Sequence, residues 1–254
     1  MRREDDLLVR LQGAAQAVHA LPSLEPQAVA LQEGYTLQRE ALRRRQAAGE
    51  RLTGWKVAFA GRAAQDRFGI GEPALGALTD AMAVEPGSTV PLARLIQPKL
   101  EIELAFVLGR TLVPGFYSDE DIFAAISEVA PAFEIADCRW QDWRFDVGAF
   151  LADNAAAGLY CLGARVGFDP DRLPEVNYRL AHDGVSCGEG NVLAREDTPL
   201  ANLCWLVRRL LADGQRVEAG QVVLSGALLA PMDVRAGEYR LHMLGTELAL
   251  AFRR

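Results

Sequence analysis

The sequence predicts an α+β fold in which a helical N-terminal region, residues 1–50, precedes a β-rich body, residues 51–254. Three observations predict it. Apolar residues recur at helical spacing through the region before Leu52, short β-type runs bounded by turn residues dominate after it, and two helical patterns interrupt those runs. Regular βαβ alternation, an internal repeat and a low-complexity linker are all lacking.

The first helix is expected over residues 5–21, where Leu7, Leu8, Leu11, Ala15 and Val18 fall on one stripe. The second, over 26–48, is rich in Ala, Leu, Gln and Arg, and Gly49 is placed to end it. Strands are expected at 53–59, 75–84, 100–108, 132–137 and 159–162. Between the third and fourth, Ser118 caps a helix over 119–129, with Asp121 at the third helical position of a capping box. Tyr178 to Ser186 reads as a hairpin turning at Asp183-Gly184. A helix over 199–213 follows, with Thr198 as cap, Pro199 in the first helical position and Gly214 just past its end. Runs at 222–225, 238–244 and 247–252 finish the chain as strands.

A chain of 254 residues and 27.7 kDa can bury a substantial core. Its net charge of -7 and pI near 5.1 exclude a nucleic-acid partner, since no basic stripe can neutralise phosphates; Arg43-Arg44-Arg45 reads as a solvated helix face. The Met1-Arg-Arg-Glu-Asp-Asp start has no apolar segment of a secretion signal, and no stretch of about 18 apolar residues follows. A cytoplasmic protein with no membrane partner is expected. Cys138, Cys161, Cys187 and Cys204 lack paired spacing and read as small buried apolar residues, and three scattered histidines do not make a zinc site.

The most informative segment is Pro98-Lys-Leu-Glu101-Ile-Glu103-Leu-Ala-Phe-Val-Leu108. Side chains alternate across a strand, so Glu101 and Glu103 share one face while Leu100, Ile102 and Leu104 share the other. Two carboxylates roughly 6 to 7 Å apart resist burial unless a cation or a shifted pKa relieves them. Glu134 sits among apolar neighbours in a second strand, Ala132 to Asp137, and completes a trio if the two strands are adjacent. Three hard oxygen ligands on one side of a cation suit Mg²⁺ or Mn²⁺. Taken alone, paired glutamates on a strand are equally a solvated edge or a salt-bridged pair.

The wider pattern resembles the 2-keto-4-pentenoate hydratases and 4-oxalocrotonate decarboxylases of the fumarylacetoacetate hydrolase superfamily. The likeness runs from about Gln38 to Phe252 and is carried first by Gly54-Trp-Lys56, Pro73-Ala-Leu-Gly76-Ala-Leu-Thr-Asp80-Ala-Met82 and Gln97-Pro-Lys-Leu-Glu101-Ile-Glu103. It continues through Pro131-Ala-Phe-Glu134-Ile-Ala-Asp137-Cys-Arg139-Trp-Gln-Asp142-Trp143, Ala152-Asp153-Asn154-Ala155, Ser225-Gly226-Ala and Leu244-Gly245-Thr.

That resemblance implies a mixed β-sheet roll and a divalent ion, Mg²⁺ or Mn²⁺, held by Glu101, Glu103 and Glu134. It implies a 2-oxo or 2-hydroxydienoic acid substrate that chelates the ion through its C1 carboxylate and C2 oxygen. Lys56 matches the family lysine and is expected to meet the substrate carboxylate or move a proton. Asp80 is expected as an acid or base, Asn154 as a substrate contact, and Ser225 as a hydroxyl donor to the pocket. Asp137, Arg139 and Asp142 are read as an ion-pair network supporting Glu134, and Trp140 and Trp143 as packing residues. The implied activity is hydration of a 2-hydroxyalka-2,4-dienoate in meta-cleavage aromatic catabolism, with 4-oxalocrotonate decarboxylation as the alternative. A carbon–carbon bond hydrolase is disfavoured because no catalytic His-Glu pair precedes the glutamates, and a non-catalytic partner subunit because the trio is intact. A homo-oligomer is implied, alone or docked with a related pathway enzyme. Three positions depart from the family pattern: Ala58 in place of a glycine, Ala156 in place of a serine, and Met243 in place of a glycine.

Overall fold

In the computed structural model, which describes residues 3–23 and 28–254, two sheets share the chain with six α-helices. The strands are β1 Leu52–Ala58, β2 Ala74–Thr79, β3 Thr89–Pro91, β4 Pro98–Leu108, β5 Ile126–Asp137, β6 Ala157–Leu162, β7 Val166–Gly167, β8 Asn177–His182, β9 Val185–Asn191, β10 Val222–Leu224, β11 Met232–Asp233, β12 Gly237–Met243 and β13 Thr246–Arg253. The helices are α1 Arg3–Ala17, α2 Leu31–Ala47, α3 Arg62–Phe68, α4 Asp119–Phe123, α5 Val147–Ala152 and α6 Pro199–Ala212.

The larger sheet runs β2-β1-β10-β4-β5-β6, with β11 beside β4 and β7 beside β5; the β1–β10 pair is parallel and the others antiparallel. Both of its faces are covered, which is why β4 and β5 read as nearly continuous apolar runs. Leu100, Ile102, Leu104 and Phe106 face the main core, which also takes Leu8 and Leu11 of α1 and Tyr35 and Leu37 of α2. The opposite face holds a second, smaller cluster that includes Leu78, Met82, Ala105, Ala132, Tyr160 and Leu224.

The sheet curls around this second cluster until its edges meet. The Val84 N–H donates to the Tyr160 carbonyl at 2.8 Å, and the Asn154 amide both accepts from the Ala77 N–H and donates to the Ala77 carbonyl, each at 2.8 Å. The second sheet, β3-β13-β12-β8-β9, buries Tyr239, Leu241, Leu248 and Leu250 against the body.

Most expected elements are present, with corrected ends. The helix expected over 5–21 stops at Ala17, Val18 turns left-handed, and Leu21 pairs with the backbone of Arg139 and Gln141. In the helix expected over 26–48, residues 26 and 27 lie outside the described residues, and Ala30 is the extended residue before α2. Gly34 and Gly148 let α2 and α5 cross closely: a Cβ on Gly148 would lie 2.1 Å from the Val29 carbonyl oxygen. The helix expected over 119–129 is the largest error. Ser118 and Asp121 do form the capping box, but α4 ends at Phe123, and from Ile126 the chain is strand, paired with β4 along nearly its whole length. The run expected as strand to residue 84 breaks at Thr79 into a 3₁₀ turn over Asp80–Met82.

The α6 signals all hold: Thr198 accepts from the Ala201 N–H, Pro199 is the first helical residue, and Gly214 has φ +75°. The Asp183-Gly184 hairpin forms with φ of +48° and +79°. Cys138, Cys161 and Cys204 are buried as expected, whereas Cys187 is exposed on β9. Among the described residues, no helix is long and apolar enough to cross a membrane.

Candidate active site

β4 and β5 lie side by side with Glu101 directly opposite Glu134 and Glu103 opposite Ala132. Opposed residues of an antiparallel pair share a face, so three carboxylates converge on one spot inside the curl. One oxygen from each of Glu101, Glu103 and Glu134 lies within 4.8 Å of the others. Glu103 and Glu134 are completely buried, while Glu101 retains an opening to solvent.

Lys56 joins them through its own strand. It lies level with Leu224 of β10, which lies level with Ala105 of β4, so its side chain enters the same space. Its ammonium donates to Glu134 Oε1, and the residue is 2 % exposed. Gly76 makes room for this: a Cβ there would sit 2.7 Å from the Asn154 carbonyl oxygen and 3.1 Å from Lys56 Cγ.

The charges do not balance. Burial pushes the Glu101 carboxyl up to about 7, with Glu134 adding to the rise against the pull of Lys56 and Lys99. Burial and the other two glutamates push Glu103 well above the usual carboxylate range, opposed by Lys56 and by the Gly226 N–H. For Lys56, burial works to lower the pKa, but Glu134 and Glu101 outweigh it and keep the ammonium charged. Three carboxylates thus face one cation. Glu103 Oε1 and Glu134 Oε2 are buried without a hydrogen-bond partner, while their other oxygens accept from the Gly226 N–H at 2.7 Å and from Lys56. Orphaned buried oxygens cost free energy unless something meets them. All-oxygen donors, two with a free lone-pair site and one reaching solvent, fit a hard divalent cation.

The other predicted residues bond to the protein's own backbone and side chains. Asp80 lies at the end of β2, about 13 Å along the strand from Gly76, which is level with Lys56. Its carboxylate takes the Arg51 side chain at 2.8 Å and the Arg51 N–H at 2.9 Å, and Arg51 holds its pKa below the usual carboxylate range. Asn154 uses its amide to clamp Ala77 as described, so it closes the curled sheet. Ser225 is wholly buried; its hydroxyl accepts from the Leu104 N–H at 3.1 Å and donates to the Gly226 carbonyl at 3.2 Å. It fixes the turn whose next N–H, from Gly226, meets Glu103.

Asp137 accepts from the Ile96 and Gln97 N–H groups, and Arg139 pairs with Asp153 and donates to the carbonyls of Asp137 and Ala157. This network braces the end of β5 where Glu134 sits; Asp142 is exposed and outside it. Trp140 is fully buried packing, with its indole N–H on the Ala149 carbonyl. Ala156 is buried in a run of three left-handed residues, Asn154 to Ala156, and Met243 is buried at the end of β12. Ala58 ends β1, followed by a left-handed Phe59 that stacks on Phe68 and Phe150.

Two contributors went unnoticed at the sequence level. The Gly226 N–H has no side-chain signature, although a glycine at φ +90° after a strand was its one signal. Lys99 falls on the same strand face as Glu101 and Glu103 by simple alternation, and the spacing alone could have revealed it.

No family model matches the chain. Among curated proteins, it is 35% identical over 212 residues to the 2-hydroxyhexa-2,4-dienoate hydratase of Comamonas testosteroni, covering 82% of this chain and 80% of that protein. It is 38% identical over 199 residues to the 2-keto-4-pentenoate hydratase of Burkholderia vietnamiensis, covering 78% and 76%. Among solved structures, 4-oxalocrotonate decarboxylase from Pseudomonas putida G7, complexed with magnesium and adipate, superposes with a TM-score of 0.91 at 24% identity over 100% of this chain and 99% of that one. Fumarylpyruvate hydrolase from Pseudomonas aeruginosa, in complex with Mn²⁺ and pyruvate, has a TM-score of 0.55 at 15% identity over 78% and 88%. These two likenesses bear on the fold alone, the mixed-sheet α+β fold that the sequence predicts.

Proposed function

This chain belongs to the 2-keto-4-pentenoate hydratase family, and we propose that its site adds water to a 2-hydroxyalka-2,4-dienoate to give a 4-hydroxy-2-oxo acid. The observation that carries the reading is the buried trio Glu101, Glu103 and Glu134, with two orphaned oxygens beside a charged Lys56. The trio would hold Mg²⁺ or Mn²⁺. Such an ion, when bound, supplies positive charge to the C1 carboxylate and C2 oxygen of a 2-oxo acid.

The protein's own groups do the rest. Glu134 anchors the Lys56 ammonium, and the Gly226 N–H holds Glu103 in place from the far side. Because its neighbours keep it charged, Lys56 enters as an acid beside the C1 and C2 end of the substrate, where it donates a hydrogen bond to the C2 oxygen as a carbonyl develops there. As C5 takes a proton from water, the C2 hydroxyl gives up its own to that water and becomes a carbonyl, so one proton has moved from oxygen to C5 with none gained or lost. Water then adds across C3 and C4, its hydroxyl to C4 and its proton to C3. The apolar lining of the curl, Ala105, Ala132 and Leu224, limits water around the conjugated chain. To Asp80, Asn154 and Ser225 we assign supporting roles: an ion pair at the rim, a clamp on β2, and the turn that aims Gly226.

A homo-oligomer in the cytoplasm, assembled with the help of the two N-terminal helices, belongs to the same proposal, and light scattering of the purified chain with and without them checks the assembly. The test of function is incubation with 2-hydroxypenta-2,4-dienoate and Mg²⁺. Loss of the diene absorbance with formation of 4-hydroxy-2-oxopentanoate is expected. Release of CO₂ from 2-oxohex-3-enedioate without hydration of the dienoate overturns the reading in favour of a decarboxylase. In Lys56→Met, turnover should fall by about 10²- to 10⁴-fold.

A further inference from the structure

The row of side chains that supplies two of the three glutamates does not end with them. Lys99, Glu101 and Glu103 alternate onto one face of β4, and exposure rises along the row: Glu103 is fully buried, Glu101 is partly open, and the Lys99 side chain is 29% exposed. The site therefore opens toward Lys99. Successive side chains on one strand face are about 6.5 to 7 Å apart, so the long Lys99 side chain can reach the far end of a short acid held at Glu101. A 2-oxo acid anchored by its C1 and C2 oxygens at the glutamates and pointing outward brings its tail to Lys99.

Lys99 is fixed by two neighbours. Asp233 of β11 is its direct cross-strand partner, and Lys99 Nζ donates to Asp233 Oδ1 at 2.8 Å. Lys99 Nζ also lies 5.6 Å from the centre of the Trp143 ring. Trp143 is presented by two consecutive left-handed residues, Asp142 and Trp143 itself, and its indole N–H is bonded to the Gln97 carbonyl at 3.1 Å. A lone lysine at the mouth would welcome a second carboxylate. Here Asp233 holds that cation and adds a negative charge of its own, and the partly buried Trp143 ring covers its other side.

We propose that the Lys99–Asp233 pair beneath Trp143 sets substrate choice, with Asp233 masking the cation so that the site selects 2-oxo and 2-hydroxydienoic acids with an uncharged tail and rejects dicarboxylates. This rests on the reading above only in taking a 2-oxo acid as the molecule held at the glutamates.

Binding separates the two ideas without relying on turnover. The Mg²⁺-loaded protein is titrated calorimetrically with 2-oxopentanoate and with 2-oxohexanedioate, as wild type, Asp233→Asn, and Asp233→Asn with Lys99→Met. Wild type should prefer the monoacid. Asp233→Asn should strengthen diacid binding about tenfold relative to the monoacid, by removing one like charge and freeing one opposite charge in a solvent-exposed setting, and the added Lys99→Met should abolish that gain. Asp233 is 81% exposed, so its amide variant folds. An unchanged preference in Asp233→Asn, or a gain that survives Lys99→Met, overturns the specificity proposal and leaves the hydratase reading standing. Failure of the wild type to bind either acid overturns both.

Discussion

Two buried ion pairs sit at neighbouring levels of this molecule, and only one of them is complete. Arg139 and Asp153 satisfy each other: the guanidinium donates to the Asp153 carboxylate and to the carbonyls of Asp137, Asp153 and Ala157, and the carboxylate also accepts the Arg139 N–H. Lys56 and Glu134 form the other pair, and there the accounting fails. Two more glutamates crowd the same space, and one oxygen each of Glu103 and Glu134 has no partner. A finished pair holds the scaffold, whereas donor oxygens left without partners suit a group that binds a cation. The difference also separates what mutation should do in each place.

The largest effect is expected at the unfinished pair. Glu103→Gln keeps an oxygen for the Gly226 N–H but removes a ligand charge, so Mg²⁺ affinity measured by calorimetry should fall by about 100-fold or more and turnover with it. The metal-free variant should nonetheless unfold no earlier than the wild type, because the replaced group is a carboxyl whose ionisation burial and its neighbours already oppose. A variant that binds metal normally would remove the contrast between the pairs.

At the finished pair the order reverses. Arg139→Met strands the Asp153 carboxylate in a dry place, and loss of about 3 to 5 kcal/mol of stability is expected from denaturant unfolding. Burial, only partly offset by Arg139, already lifts Asp153 to about 6, so the carboxylate has little reserve once its partner is gone. Metal affinity of the folded fraction should change far less than in Glu103→Gln.

The pH dependence of stability should show the same contrast in the unmodified chain. A carboxyl whose folded pKa lies above its unfolded value favours folding when protonated, so its contribution is present below about 4.5 and is lost as pH rises through the folded value. Glu101 at about 7, with Glu103 shifted the same way, therefore predicts that the chelator-treated protein loses thermal stability between about pH 5 and pH 8. The ionised glutamates are the metal-binding form, so stabilisation by Mg²⁺ should grow over that same interval. Scanning calorimetry across the range, with chelator and with Mg²⁺, measures both slopes; parallel curves would mean that no ion meets the trio.

How much of this was legible in the sequence follows from the range of the interactions involved. Glu101 and Glu103 could be assigned to one face from alternation, because a strand's period is a local property, and Thr198, Pro199 and Gly214 marked α6 for the same reason. The extent of β5 could not be read that way. Ile126 to Asp137 carries helix-compatible residues at its start, and pairing against eleven residues of β4 decided the outcome. Asn154 and Ser225 were noticed for the right neighbourhood, but their partners, the backbones of Ala77 and Leu104, lie 77 and 121 residues away in the chain. Polar side chains near a site can as easily hold the scaffold as the substrate, and only the folded chain shows where their hydrogen bonds go.

Asp80 gives the smallest expected effect and the sharpest check on that distinction. An acid in a family-like motif invites a catalytic role, yet its carboxylate is committed to the side chain and N–H of Arg51 at the rim of the curl. The pair is partly exposed, so it contributes little to stability. Asp80→Asn keeps an oxygen for the Arg51 N–H and should leave Mg²⁺ affinity unchanged and turnover within about threefold of wild type, as a surface polar change away from the reacting atoms does. A loss of 100-fold or more in kcat, with Mg²⁺ affinity intact, would mean that Asp80 leaves Arg51 when substrate binds, and would place the rim of β2 within the catalytic machinery.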